Sequence, residues 1–188
     1  MYNLKIITAS VRPGRKGPIV TQWIAGKASL HGSFNVEVID LKEINLPLMD
    51  EPNHPALKKY KHEHTKQWSA KIEEADAFIF VTAEYDFNYP APLRNALEFL
   101  YHEWSYKAAG IVSYGGVSAG TRAFNSLKSD LSSFNMAPLG TGVHIPFFTQ
   151  FIKDDKLEPN DVLEKSAAAL LNELARWTKG MKIIKENK

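Results

Sequence analysis

The chain has no cysteine. That excludes disulfides, thiolate metal ligands, a thiol nucleophile and a dithiol redox centre, so any redox chemistry must run on a bound cofactor. It also has no run of about 18 apolar residues, so no membrane span is expected. Nor is there a strong charge of either sign: 23 Lys and Arg face 21 Asp and Glu, a net charge of +2. That balance argues against nucleic acid as a partner, and basic residues concentrate only at Arg12–Lys16. Two common nucleotide fingerprints, G-x-G-x-x-G and G-x-x-x-x-G-K-[ST], are missing too. The N-terminus enters strand pattern without a basic start, apolar stretch and cleavage site, so no secretory signal and a cytoplasmic location are expected.

What is present is regular alternation. Leu4–Ala9 reads as a short buried strand, followed by a helical pattern from Pro18 to Leu30. Phe34–Asp40 alternates like a strand with one more polar face. A long connection, punctuated by Pro47, Pro52 and Pro55, leads to helical spacing over 61–75. Asp76–Thr82 is an apolar strand of the kind covered on both faces, and 91–104 reads as a helix. Ala108–Ser113 is a fourth strand, Thr121–Asn135 a helix, and 136–148 contains a strand interrupted by Gly and Pro. A helix over 160–179 follows, with Asn160 or Asp161 as its cap. Five strands alternating with five helices imply one α/β domain over residues 1–188, a parallel sheet with helices on both faces.

Ligands of such folds bind beyond the carboxyl ends of the strands, which selects three loops. The first is Ser10–Pro18. It joins a serine hydroxyl and two arginines to a helix N-terminus, whose unpaired N–H groups and partial positive charge suit an anion. A solvated basic turn is the plainer account of the same residues. The second, Ala83–Pro90, places three aromatics in eight residues after an apolar strand, which suits a flat conjugated ligand or equally a loop packed on its own domain. The third, Ser113–Gly120, is glycine-rich and allows close backbone approach, as a tight connection also would. Together they offer a phosphate seat, an aromatic wall and bare backbone, a combination suited to a phosphorylated flat ring system.

Ser10-Val11-Arg12-Pro13-Gly14-Arg15 with Gly17-Pro18, and Ala83-Glu84-Tyr85-Asp86 through Asn88-Tyr89-Pro90-Ala91-Pro92-Leu93-Arg94-Asn95-Ala96-Leu97-Glu98, resemble the motifs of the NADPH-dependent FMN reductase family. These flavodoxin-like proteins include quinone and azo-dye reductases. The chain departs from the family pattern at Ala9, where glycine is usual, at Ala83 for proline and at Asp86 for asparagine. The resemblance implies a flavodoxin-like three-layer sandwich with a five-stranded parallel sheet of order 2-1-3-4-5. It implies non-covalently bound FMN, with NADPH or NADH as co-substrate. It further implies an enzyme reducing flavin, quinone or similar small-molecule acceptors by ping-pong hydride transfer, and a homodimer or tetramer. By the same resemblance Ser10, Arg12, Arg15, Gly17, Pro18 and Ile19 surround the FMN phosphate. Ala83, Glu84, Tyr85, Asp86 and Phe87 line the isoalloxazine, largely through main-chain groups, and Tyr114, Gly115 and Gly116 approach its other edge. The flavin carries the chemistry, so no side chain is assigned as acid, base or nucleophile. The alternative is a non-enzymatic electron carrier or redox-responsive binding protein. An Asp86 carboxylate facing the flavin would oppose charge on the reduced ring, whereas one capping its own loop would leave function untouched.

Three histidines, His54, His62 and His64, cluster around Glu63, but a spacing of two does not place His62 and His64 on one helix face. A solvated helix start accounts for them better than a metal site. Trp23 and Trp68 sit at helical positions among apolar residues and read as core, and Tyr101, His102 and Trp104 end the helix that follows the aromatic loop. The Lys/Glu pattern beyond Asp154 reads as a solvated helix face.

Overall fold

A computed structural model describes residues 1–187. Four strands, β1 (Tyr2–Thr8), β2 (Phe34–Asp40), β3 (Ala77–Ala83) and β4 (Ala108–Tyr114), form the body of a parallel sheet. The order is β2-β1-β3-β4-β5, as the flavodoxin-like expectation requires. The fifth position is split. A two-residue β5 (Ala137–Pro138) and a three-residue β6 (Val143–Ile145) pair with opposite ends of β4. After a last bond from the Leu139 N–H to the Ala109 carbonyl at 2.9 Å, Gly140 to Gly142 leaves the ladder, at the Pro and Gly that interrupt the pattern in the sequence.

Period-two alternation sorts the strand residues onto two faces. Ile7, Phe78, Phe80 and Ile111 pack with α3 (Glu63–Glu73), α4 (Ala91–Glu98) and α5 (Thr121–Ser133) through Trp68, Leu97 and Leu127. Leu4, Ile6, Ile79 and Val112 pack with α1 (Gly17–Leu30) and α6 (Asp161–Glu186) through Ile24, Leu170 and Leu174. β3 and β4 are buried at every position, which explains their unbroken apolar runs.

Two expected helices have different ends. α4 stops at Glu98 rather than at residue 104, because Phe99, Leu100 and Trp104 all turn inward to the same core. The Trp104 indole N–H donates back to the Leu97 carbonyl at 3.1 Å, closing the turn. α6 runs on to Glu186, past residue 179. Trp68 is core as expected, whereas Trp23 is only half-buried.

The long connection after β2 is held at several points. It starts with a single turn, α2 (Leu41–Ile44), capped by the Asp40 carboxylate. The Asn95 amide then clamps it, donating to the Pro47 carbonyl at 2.7 Å and accepting from the Met49 N–H at 3.0 Å. Further on, the fully buried Glu103 carboxylate accepts from Tyr60 at 2.8 Å and Ser69 at 2.6 Å. Burial alone would raise that carboxyl, yet these donors hold it below the usual carboxylate range.

Candidate functional site

Because β1, β3 and β4 are adjacent and parallel, their carboxyl ends lie side by side. Thr8 pairs with Val81, and Ala83 with Tyr114. The three loops singled out in the sequence therefore meet. They enclose a cavity of about 450 Å³ lined by Arg12–Lys16, Ala83–Tyr85, Tyr114–Gly116, Phe148 and Thr149. That volume lies in the range of small-molecule and cofactor sites. A second cavity of about 360 Å³ lies on the other side of the first loop, at Val11, between the connection after β2 and the start of α4. It lacks both arginines and the glycine backbone.

The first loop ends in α1, whose N-terminus receives no side-chain cap. Gly17 opens the helix, and a Cβ there would come within 2.7 Å of the Tyr114 hydroxyl oxygen. That hydroxyl is buried and has no hydrogen-bond partner among the described residues, and burial pushes its pKa up. Ser10 lies beneath the cavity surface rather than on it. Its hydroxyl bonds the Tyr85 hydroxyl at 2.7 Å and so ties the first loop to the second. Pro18 and Ile19 form the rest of the first turn of α1, set back from the lining. The two arginines differ. Arg15 forks onto Asp40 at 2.5 and 2.6 Å, while Arg12 has no carboxylate partner among the described residues and lies 5.8 Å from the Tyr85 ring centroid.

The second loop is a tight turn. The Tyr85 N–H donates to the Asn88 carbonyl at 2.8 Å, with the reverse bond at 3.0 Å. Asp86 and Phe87 take φ of +46° and +70° between them, the two positive values of a type I′ turn. Two of the main-chain donors expected to face a ring are thus committed, Tyr85 to Asn88 and Glu84 to the Tyr114 carbonyl at 3.2 Å. The N–H groups of Asp86 and Phe87, at the tip, make no hydrogen bond among the described residues. The Asp86 side chain is exposed, caps no N–H and does not line the cavity. Phe87 is exposed as well, and the Arg122 guanidinium lies 4.0 Å from its ring centroid.

Glu84 joins the second loop to the third. Its carboxylate accepts from the Ser118 hydroxyl at 2.9 Å, the Arg122 N–H at 3.1 Å and the Arg122 Nε at 2.7 Å. Burial would raise this carboxyl, but the Arg122 and Ser118 bonds hold it below the usual range. The third loop turns at Gly120, with φ of +77° and room for no Cβ: one would lie 2.9 Å from the Tyr114 backbone nitrogen. Ser113 braces that turn, donating to the Ala119 carbonyl at 2.9 Å with His144 Nδ1 2.8 Å from its hydroxyl.

Among the fourteen residues expected to contact the ligand, eight line the cavity: Arg12, Arg15, Ala83, Glu84, Tyr85, Tyr114, Gly115 and Gly116. Ser10, Gly17, Pro18 and Ile19 support it from below, and Asp86 and Phe87 form the turn tip beside it. Pro13, Gly14 and Lys16 of the first loop line it as well, outside the fourteen, and Phe148 and Thr149 were missed altogether. These last two follow the split fifth strand, and the rule that ligands sit beyond strand ends applied to β6 would have found them.

A family profile described as NADPH-dependent FMN reductase matches residues 3–150. The chain belongs to that family. An NAD(P)H-dependent FMN reductase of Schizosaccharomyces pombe is 44% identical over 117 residues, covering 61% of this chain and 58% of that protein. A second, from Saccharomyces cerevisiae, is 34% identical over 164 residues, covering 80% of this chain and 84% of that one. In three dimensions the chain resembles FerB, a flavoenzyme NAD(P)H:(acceptor) oxidoreductase of Paracoccus denitrificans, with a TM-score of 0.77. Identity there is 18%, and the match covers 96% of this chain and 99% of that one. The fold shared with that structure spans nearly the whole chain, with three strand-end loops around one cavity.

The residues present fit FMN. A phosphate would meet an uncapped helix N-terminus and the Arg12 guanidinium, which has no carboxylate partner among the described residues, while the Tyr114 hydroxyl, expected at the far edge of the ring, is instead buried against Gly17. A flat ring would meet Tyr85 and the glycine backbone of the third loop, with the turn tip beside the lining rather than in it. Elsewhere, the His62 and His64 rings stack 5.3 Å apart, and His64 pairs with Asp50 at 3.0 Å. No group of three or more His, Asp or Glu suited to a metal occurs among the described residues.

Proposed function

We propose that the chain works as one FMN-binding domain and reduces flavin, quinone or similar acceptors at the expense of NADPH or NADH. The observation that carries this reading is a single cavity whose lining joins Arg12, Tyr85 and Tyr114–Gly116, with the uncapped N-terminus of α1 directly after its first loop. When bound, FMN supplies the hydride chemistry, which no protein side chain provides. Arg12 and the first turn of α1 hold the phosphate, by charge and by oriented N–H dipoles. The Ser10–Tyr85 hydrogen bond keeps the aromatic wall at a fixed distance from that seat. The uncommitted N–H groups of Asp86 and Phe87 stand at the turn tip beside the cavity, donors for a ring edge that reaches past its lining. Held away from the cavity, the Asp86 carboxylate leaves charge on the reduced ring unopposed. Donor and acceptor take turns on the open side of the site, a ping-pong order, and two or four copies assemble in the cytoplasm.

The purified protein is expected to be yellow and to bleach under anaerobic NADPH or NADH. Colourless protein that gains nothing from added FMN would sink the flavin reading, and yellow protein that stays oxidised would make it a carrier. Intersecting rather than parallel double-reciprocal lines would remove the ping-pong order. Arg12→Ala is expected to weaken FMN binding about tenfold or more, the loss of one charge-assisted phosphate contact. Unchanged affinity would take Arg12 out of the seat.

A further inference from the structure

The two arginines of the first loop are three residues apart, and the structure gives them opposite surroundings. Arg15 donates from Nη1 and Nη2 to the two Asp40 oxygens at 2.5 and 2.6 Å, and from Nη1 to the Ser10 carbonyl at 2.5 Å. Its side chain is 10% exposed and that of Asp40 21%. Asp40 closes β2, and its Oδ1 also accepts from the Lys42 N–H at 3.0 Å, where it caps α2. One guanidinium thus joins three places: the end of β1 at Ser10, the end of β2, and the start of the long connection. Seen from the cavity, the Arg15–Asp40 pair is neutral. Arg12 is exposed and has no such partner among the described residues.

We propose that Arg15 is a positioning residue of the cofactor site and not a ligand of the phosphate. It fixes the Ser10 end of the loop against β2, and Arg12 alone supplies the guanidinium that meets the anion. This rests on the FMN reading and deepens it. An anion drawing Arg15 away would break a well-formed bidentate pair and leave Asp40 partly buried without its countercharge. Through its bond to the Ser10 carbonyl, Arg15 holds the residue whose hydroxyl sets Tyr85. Its effect on binding is therefore felt by the ring as much as by the phosphate.

The two roles predict opposite signs at Asp40. If Arg15 is a phosphate ligand, Asp40→Asn frees its charge and tightens FMN. If Arg15 is a brace, the same change loosens the loop and weakens FMN. The experiment titrates FMN and riboflavin into apoprotein by flavin fluorescence, at two salt concentrations. Asp40→Asn and Arg15→Ala are each expected to weaken both flavins by one common factor of about tenfold. The preference for FMN over riboflavin and its salt dependence then stay as in wild type. The double variant should be no weaker than either single one, because both remove the same contact. Arg15→Lys should not rescue, since an ammonium cannot fork onto a carboxylate. Arg12→Ala, by contrast, should collapse the preference for FMN and flatten its salt dependence. Tighter FMN binding by Asp40→Asn, or loss of that preference in Arg15→Ala or Arg15→Lys, would overturn the assignment. Asp40→Asn keeps the shape of the side chain, so the test survives even if Arg15→Ala fails to fold. Wild-type protein that binds neither flavin would overturn the FMN reading itself.

Discussion

Removing the Glu84 carboxylate should loosen the site and destabilise the whole chain. Its side chain is 6% exposed, and it is the acceptor for Ser118, for the Arg122 N–H near the start of α5 and for the Arg122 guanidinium. Severing a buried pair by deleting one partner costs about 3–5 kcal/mol, but that figure assumes both charges are out of water. Arg122 is 47% exposed, so water takes over much of its guanidinium and the ionic part falls toward the surface value of about 0–1 kcal/mol. The bonds from Ser118 and the Arg122 N–H add about 1 kcal/mol each. Glu84→Ala should therefore cost about 2–3 kcal/mol, or about 5–10 °C in Tm for a chain of this size. FMN affinity should fall too, because the same Arg122 lies over Phe87 at the turn tip. The pH dependence is a second check. The folded carboxyl is held below its ordinary value, so its contribution is complete above the unfolded glutamate pKa of about 4.3 and disappears as pH falls through the folded value. Thermal unfolding of wild type and Glu84→Gln from pH 7 to pH 3 reads this directly. The Tm gap should narrow as pH falls below the unfolded value. A gap that is absent at pH 7, or that does not change with pH, would refute the reasoning.

Gly17→Ala should lower Tm and weaken FMN, since its Cβ would sit 2.7 Å from the Tyr114 hydroxyl oxygen and overpacking costs about 1–3 kcal/mol. Adding Tyr114→Phe should recover part of the lost Tm, and no recovery would place the clash elsewhere. Lys107 is a different case: its Nζ donates to the Ile72 and Glu73 carbonyls at the end of α3, and burial pushes its pKa down to about 8. The folded state thus releases this proton before the unfolded state does. Stability of wild type relative to Lys107→Met should rise from pH 8 toward the unfolded lysine value of about 10.4. A flat difference across that range, measured by urea unfolding, would show that Lys107 keeps an ordinary pKa.

The alternation of apolar runs and helical spacing was enough to read the sheet, its parallel sense and the strand ends that carry the site. Leu4–Ala9, Asp76–Thr82 and Ala108–Ser113 match β1, β3 and β4 to within a residue or two. Such runs are legible because burial on both faces leaves little room for polar residues. The fifth strand was harder, since Pro138, Gly140 and Gly142 break its ladder into two short pieces. The end of α4 was misread because Phe99, Leu100 and Trp104 keep apolar spacing while they pack as an irregular turn. Periodicity reports which residues face the core, whatever backbone carries them there.

For the site, the sequence by itself determined its parts. A hydroxyl- and arginine-bearing loop before a helix, an aromatic turn and a glycine-rich loop are local patterns set by backbone and side-chain chemistry. Only the tertiary structure decided which partners those parts take. Arg12 and Arg15 look alike in the chain, but Asp40, 25 residues away from Arg15, engages one and leaves the other free. Asp86 is turned out of the cavity by a turn closed between Tyr85 and Asn88. The hydroxyl of Tyr114 reaches the start of α1 because β4 and β1 flank β3 in one sheet. A charge acts through its neighbours in space, and those neighbours come from strands that the sequence keeps far apart.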